Sequence, residues 1–385
     1  QLMSFVSNGF TLGDNSGASF FVNRNSHNYV SWNWKAGGTA PVKTYVVKVV
    51  SDSGNKYRFD DFAASAQTVD LQEGGTYTFD QSDSSNSGHP LRFSTTSNGS
   101  HGGGSEYTTG VTTYGSPGSS GAYTKITVAA STATLYYYCT AHSGMGGQIN
   151  TNSTHGSSYF DGAIKSTVSA NQAAGFSIVT WTGDGSEGNT LAHGLGVVPE
   201  LIIRKIKNAA SSWATLTTVI DGSNDQLYLN LTDAKSNLPT GYGSLTSSFM
   251  MNMEYTSSHN VVAYCFASKP GFSKIGVYTS NDNADGPFVN LGFRPAWLMI
   301  KKTSAVGQGA ADWVVWDSAR TPNNTTGVAL RPSSNGAEID LTAIYIDMLS
   351  NGFKIRGTGN GTNDHDYVYL YMAFAESPFK YANAR

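Results

Sequence analysis

The sequence is short of charge, cysteine and proline, and each shortage removes a class of protein. Asp, Glu, Lys and Arg make up 13% of 385 residues, against the ~25% of an ordinary chain. The net charge of −3 speaks against nucleic acid as a partner, because phosphate binding needs clustered Lys and Arg. No apolar run approaches the ~20 residues that span a bilayer, and no signal peptide is visible. Two cysteines, Cys139 and Cys265, are too few for a disulfide scaffold and leave the redox compartment open. With only 11 prolines, the many Gly-rich stretches read as turns and not as polyproline linkers.

What is abundant is Gly (43), Tyr (21) and Phe (18), with seven Trp. Disordered chains lack aromatics and β-branched residues, so this composition points to packed sheets joined by polar turns. Runs such as LIIRKIK, WLMIKK and YVYLYMAFA are short, β-branched or aromatic, and bounded by Gly, Asn or Pro. They read as strands buried in part on both faces. The one modest helical candidate is 341–349. The fold class expected is all-β, with sandwich-like modules.

Self-similarity sets the organisation. HGLGVVPELIIRKI (193–206) and VNLGFRPAWLMIKK (289–302) share LG-x-x-P followed by an apolar run and a lysine. Leu195-Gly196 pairs with Leu291-Gly292, Pro199 with Pro295, and Lys205 with Lys301. Trp213 and Trp313 follow, and VVAYCFA (261–267) and YLYMAFA (369–375) close the two units. Asn8-Gly9-Phe10, then Tyr29 to Trp34, match the second half of a third copy. The chain is therefore expected to enter its first repeat midway, with natural polypeptide preceding Gln1. WNWKAGG (32–38) and the run from Asp161 look as though they once adjoined. The expected division is 1–40 as a partial repeat, 41–160 as an inserted domain, and 161–269 and 270–385 as full repeats. A soft segment at 146–158 is expected to close the insert.

The insert carries the chemistry. Cys139, His142 and Met145 form C-x-x-H-x-x-M at a strand end, and His89 stands fifty residues earlier after another strand. Two imidazoles, a thiolate and a weak thioether are the donor set of a blue-copper site. The bland alternative is a small buried hydrophobe at Cys139 and a core filler at Met145.

Elsewhere the residues read as structural. Cys265 sits in a core strand, and His193 in a turn whose counterpart lies near Asn290. His27, His259 and His365 each precede a closing strand, which suggests a shared turn role. Asp184, Asp221, Asp282 and Asp285 lie in Gly/Asn loops that could take Ca²⁺, but none has a recognised ligand spacing, so solvated turns are expected. No G-x-S-x-G, H-E-x-x-H or P-loop is present, and no catalysis is expected.

At His89 and YYYCTAHSGMGG (136–147) the insert resembles the cupredoxins, particularly the small single-domain electron carriers. The resemblance implies a Greek-key β-sandwich in which His89, Cys139 and His142 are strong copper ligands and Met145 the axial one. The long Ser/Gly-rich loop 97–120 departs from it, and an empty cupredoxin-like shell stays open beside copper binding. The frame (8–38 and 161–380) is similar to modules of marine bacteriophage proteins, carried by YVSWNWKAGG, STVSANQAAGFSIVTWTGDG, LAHGLGVVPELIIRK, DGPFVNLGFRPAWLMIKK and YLYMAFAESPFK. That likeness implies a tail-fibre or appendage protein on the virion surface, commonly homotrimeric. Its partners would be other virion proteins and a host receptor or glycan. A copper redox protein and a cellular adhesin or filament subunit are the alternatives.

Overall fold

The computed structural model describes residues 2–6, 9–13, 28–37, 40–152, 156–239, 245–254, 256–304, 311–340 and 343–376. The protein is all-β. Residues 1–35 form one compact unit and residues 36–385 another. No helix among the described residues is long and apolar enough to cross a membrane.

The first unit holds one antiparallel hairpin, Leu2–Val6 with Gly9–Leu12, in which Val6 faces Gly9 and Phe5 faces Phe10. The pairing repeats at the far end of the chain. There Ile346–Leu349 meets Gly352–Ile355, Leu349 facing Gly352 and Met348 facing Phe353. In both, the glycine of an N-G-F run is the first paired residue of the returning strand, so the two hairpins share one register. This hairpin also corrects the helical expectation at 341–349. Ile346–Leu349 is a strand in which Ile346, Asp347 and Met348 are all buried, while residues 341–342 lie outside the described residues.

Two further modules share one topology. In the first, Phe176–Thr182, Asn260–Phe266, Leu201–Ile206 and Ala214–Thr217 lie side by side within an eight-stranded sheet. In the second, Ser273–Thr279, Val368–Ala375, Pro295–Lys302 and Trp313–Asp317 take the same order. Each sheet closes over its own core: Val179, Ile202, Leu216, Ala263 and Cys265 in one, Leu298, Ile300, Val314, Trp316 and Tyr371 in the other. The repeated motif has physical reasons. Gly196 and Gly292 turn with φ of +71° and +80°, which only glycine adopts freely. The lysine of each copy donates to the chain just before the repeated Trp. Lys205 reaches the Ser211 carbonyl, and Lys301 reaches that of Ala311 at 2.6 Å. Lys301 also donates to Thr232 O at 2.8 Å, and the Trp313 indole to Tyr228 O at 2.8 Å, so these two side chains tie the second module to the first.

Between the N-terminal unit and these modules, residues 42–160 build a separate core between two sheets. One runs Asn55–Phe59, Val42–Ser51, Thr76–Asp80, Tyr123–Thr127, Val111–Tyr114; the other Val69–Gln72, Gly147–Asn152, Leu135–Cys139, Leu91–Ser94. Aromatics cross the gap: Phe79 meets Phe93 at 5.4 Å and Phe59 meets Tyr137 at 5.1 Å between centroids. Each such fully buried ring contributes about 1.5–3 kcal/mol by removal from water. The expected soft segment at 146–158 is not soft throughout. Gly147–Asn152 pairs in parallel with Val69–Gln72, because Ile149 is needed in the core. Residues 153–155 lie outside the described residues. The boundary near 160 is shared: Ser157–Tyr159 pairs with Ser166–Asn171 of the first module while Phe160 packs into the insert's core. The loop 97–120 also folds back, with Tyr107 N–H donating to Phe93 O at 2.7 Å and its ring against the core.

Candidate metal centre

Two strand ends of the four-stranded sheet create the site. Leu91–Ser94 pairs antiparallel with Leu135–Cys139 so that Leu91 faces Cys139. His89, two residues before one strand, thereby meets the loop that follows the other. Fifty residues of sequence separation collapse to a few ångströms. Cys139 Sγ lies 3.9 Å from His89 Nδ1 and 3.8 Å from His142 Nδ1, and the two imidazole centroids are 4.6 Å apart. One ligand atom from each of the three residues lies within 4.8 Å of the other two. Cys139 is buried, His89 half-buried and His142 exposed, so the cluster opens to solvent on the His142 side. Met145 is 1% exposed and belongs to the same core cluster as Cys139.

The spacing tests the chemistry. Bonds of about 2.3 Å to thiolate sulfur and about 2.0–2.1 Å to imidazole nitrogen place S and N about 3.8 Å apart around a trigonal ion. Around a tetrahedral one they stand about 3.6 Å apart. The two S–N distances, 3.8 and 3.9 Å, leave room for one ion between the thiol and both imidazoles.

Neighbouring groups hold these side chains from outside. Gln81, 1% exposed, spans the turn, its amide donating to His89 O at 2.8 Å and accepting from Leu91 N–H at 3.1 Å. Asn86 accepts from His89 N–H through its carbonyl at 2.8 Å and anchors itself on Val47 O at 2.7 Å. The Tyr57 phenol also donates to His89 O, at 2.8 Å. Burial, and then the adjacent Cys139 thiol, hold that phenol far above its ordinary range. The His89 imidazole is pushed down by burial and by the neighbouring His142, which favours the neutral, metal-ligating form. On the other loop, Asn98 donates to Ser143 Oγ and accepts from Gly144 N–H, both at 2.8 Å. Tyr57 N–H binds Met145 O at 3.0 Å, and His101 Nε2 reaches Cys139 O at 3.0 Å. A Cβ on Gly146 would stand 1.7 Å from Tyr137 O, so the glycine after Met145 is required by close backbone approach. Gln81, Asn86, Tyr57, Asn98 and His101 escape a sequence reading because their role is long-range. Only the αL turn at Asn98-Gly99 (φ +61° and +53°) follows a local pattern, since Asn and Gly favour that region.

The remaining sequence candidates are placed elsewhere. Cys265 is fully buried in the first module, and burial pushes its thiol up to about 12. His193 is buried in a turn, its Nδ1 accepting from Leu195 N–H at 3.2 Å and its Nε2 facing Thr246 O at 3.0 Å. In the second copy Asn290 accepts from Gly292 N–H at 3.0 Å. His259 pairs with buried Glu254 at 3.0 Å, and His365 lies near Asp364 and Asp282; His27 lies outside the described residues. Asp184, Asp221 and Asp285 hold protein donors. Asp221 is bound by Lys235 at 2.6 Å, which holds its carboxyl well below the usual range, and Asp285 by Lys354 at 2.8 Å.

A family model described as a domain of unknown function, DUF7483, matches residues 1–58 and 149–378. The chain belongs to that family. The matched span covers the N-terminal unit and both repeats, and it leaves out 59–148. All four candidate ligands, His89, Cys139, His142 and Met145, fall in the part left out. No curated protein and no solved structure matches the chain.

Proposed function

We propose that this is a non-catalytic virion appendage protein, built for attachment to a host surface, whose inserted cupredoxin-like domain holds one copper ion. The observation that carries the copper half is the convergence of His89 Nδ1 and His142 Nδ1 on Cys139 Sγ, at 3.9 and 3.8 Å. His89, Cys139 and His142 would bind the ion, with buried Met145 as the weak axial donor. A bound copper ion would supply a one-electron couple. The protein's own part is to hold the His89 imidazole neutral and the Cys139 thiol out of water. Gln81, Tyr57 and Asn98 fix the two loops before any ion arrives, so binding does not have to order them.

The attachment half rests on the likeness of the repeats to marine bacteriophage modules. A weakly charged chain rich in Asn, Ser and Thr, with a few exposed rings such as Tyr114 and Phe288, suits contact with a glycan or surface receptor by hydrogen bonding and stacking. Such an appendage is expected to be a homotrimer joined to other virion proteins.

Copper(II) added to the reduced protein should give intense visible thiolate-to-copper absorption at one ion per chain, absent in Cys139→Ser. A colourless protein after loading overturns the copper reading. Saturable binding of the assembled protein to host cells tests attachment, and its absence overturns that half. An ion bound without any host-cell binding would favour the redox protein over the appendage.

A further inference from the structure

The insert and the first module meet in a cleft of about 480 Å³, inside the range of about 300–1,000 Å³ common to small-ligand sites. Its apolar lining is Phe62 from the insert and Ile164 and Trp181 from the module. Its charged lining is two lysines, Lys165 and Lys207, and two aspartates, Asp70 and Asp184. By charge count the cleft is neutral; by hydrogen-bonding capacity it is not.

Both aspartates are already committed. Asp70 accepts from Asn150 at 2.8 Å, Thr167 at 2.8 Å and Ser158 at 3.2 Å. Asp184 accepts from Asn189 at 2.5 Å, Ser186 N–H at 3.0 Å and Asn252 at 3.2 Å. The lysines keep donors in hand. Each ammonium carries three N–H groups. Lys165 uses one on Thr68 O at 2.7 Å, and exposed Lys207 makes no side-chain hydrogen bond or ion pair among the described residues. Burial also holds Lys165 below its ordinary value, so a negative partner there relieves an existing cost. The cleft thus presents spare cationic donors beside the half-buried Phe62 ring, with Ile164 and Trp181 buried behind it, and both its aspartates are occupied.

We infer that this cleft is the glycan subsite of the protein and that it takes an anionic sugar residue, its carboxylate or phosphate on Lys165 and Lys207 and its ring against Phe62. The inference rests on the attachment reading and gives it a ligand class. The insert then has a second role, because one wall of the subsite belongs to it and the other to the repeat.

The test is calorimetric titration of the full chain with uronic-acid oligosaccharides, sugar phosphates and neutral oligosaccharides of matched length, alongside a host-cell binding assay. Binding of an acidic probe with little binding of the neutral one is expected, the two acidic probes telling carboxylate from phosphate. Lys207→Ala, an exposed change, should weaken it at least tenfold, and Lys165→Met with Lys207→Ala should abolish it. Far-UV circular dichroism of both variants checks that the sheets are intact. No binding of either acidic probe, equal binding of the neutral one, or binding unchanged in the folded double variant overturns the inference. If that variant still binds host cells like the parent, the cleft is wrong and attachment stands. If the parent binds no cells, attachment itself fails.

Discussion

Replacing Gln81 by Met probes how His89 is held. Met keeps the length and volume of the side chain and removes both polar atoms. Two backbone groups lose a partner, and they lose it unequally. Leu91 N–H gives up its bond to the Gln81 carbonyl at 3.1 Å, and Leu91 is fully buried. His89 O gives up a bond of 2.8 Å but keeps the Tyr57 phenol at 2.8 Å. An orphaned buried N–H costs about 1–3 kcal/mol and a compensated lost bond about 0.5–1.5 kcal/mol, so the expected destabilisation of this turn is about 3 kcal/mol. At 1.36 kcal/mol per tenfold that is about a hundredfold faster opening. Hydrogen exchange of the apo protein, read on a peptide covering 86–94, should show it. A peptide covering Val368–Ala375 in the second module should not change. Because Tyr57 still holds the His89 carbonyl, copper absorption should persist with weaker affinity, unlike the complete loss in Cys139→Ser. Exchange within threefold of the parent, or loss of absorption as complete as in Cys139→Ser, would refute this account of the turn.

Other expectations follow from the same structure. Asn98→Gly keeps the left-handed backbone but cuts both ties to the ligand loop; copper dissociation, measured by chelator competition, should quicken about tenfold, the usual scale for an outer-shell loss. Lys301 is fully buried, and burial pushes its ammonium down to about 8, against about 10.4 when unfolded. Between those values the unfolded chain binds the extra proton, so stability rises with pH. Denaturant titrations from pH 8 to 10.5 should show the parent gaining up to about 3 kcal/mol over Lys301→Met, and a constant difference would count against the buried charge. Cys265, with its thiol near 12, carries about one part in ten thousand of thiolate at pH 8. In Cys139→Ser protein, iodoacetamide should therefore label no thiol until the chain is unfolded, which mass spectrometry would count.

The all-β class was legible because it rests on local quantities, namely aromatic and β-branched runs of strand length separated by Gly and Asn. The repeat was legible too, since LG-x-x-P and its lysine recur in linear order, and the two modules place the LG pair in the turn before equivalent strands and the lysine within them. The error at 341–349 came from weighing a short apolar run by itself. The Ser350-Asn351 turn, with Gly352 paired to Leu349 directly after it, is what closes this run into a hairpin.

The donor set His89, Cys139, His142 and Met145 was readable as residue types at characteristic spacing. Sequence determined which atoms are available to an ion; it did not determine that they meet. That is decided by the register in which Leu91 faces Cys139, because a one-residue slip turns every side chain to the opposite face. The same holds for Gln81, Tyr57 and Asn98, whose partners lie 8 to 46 residues away, and for the cleft, whose two walls come from different domains. Composition and spacing act through neighbours in the chain and so survive in the sequence, whereas contact between distant segments exists only once the sheets have closed.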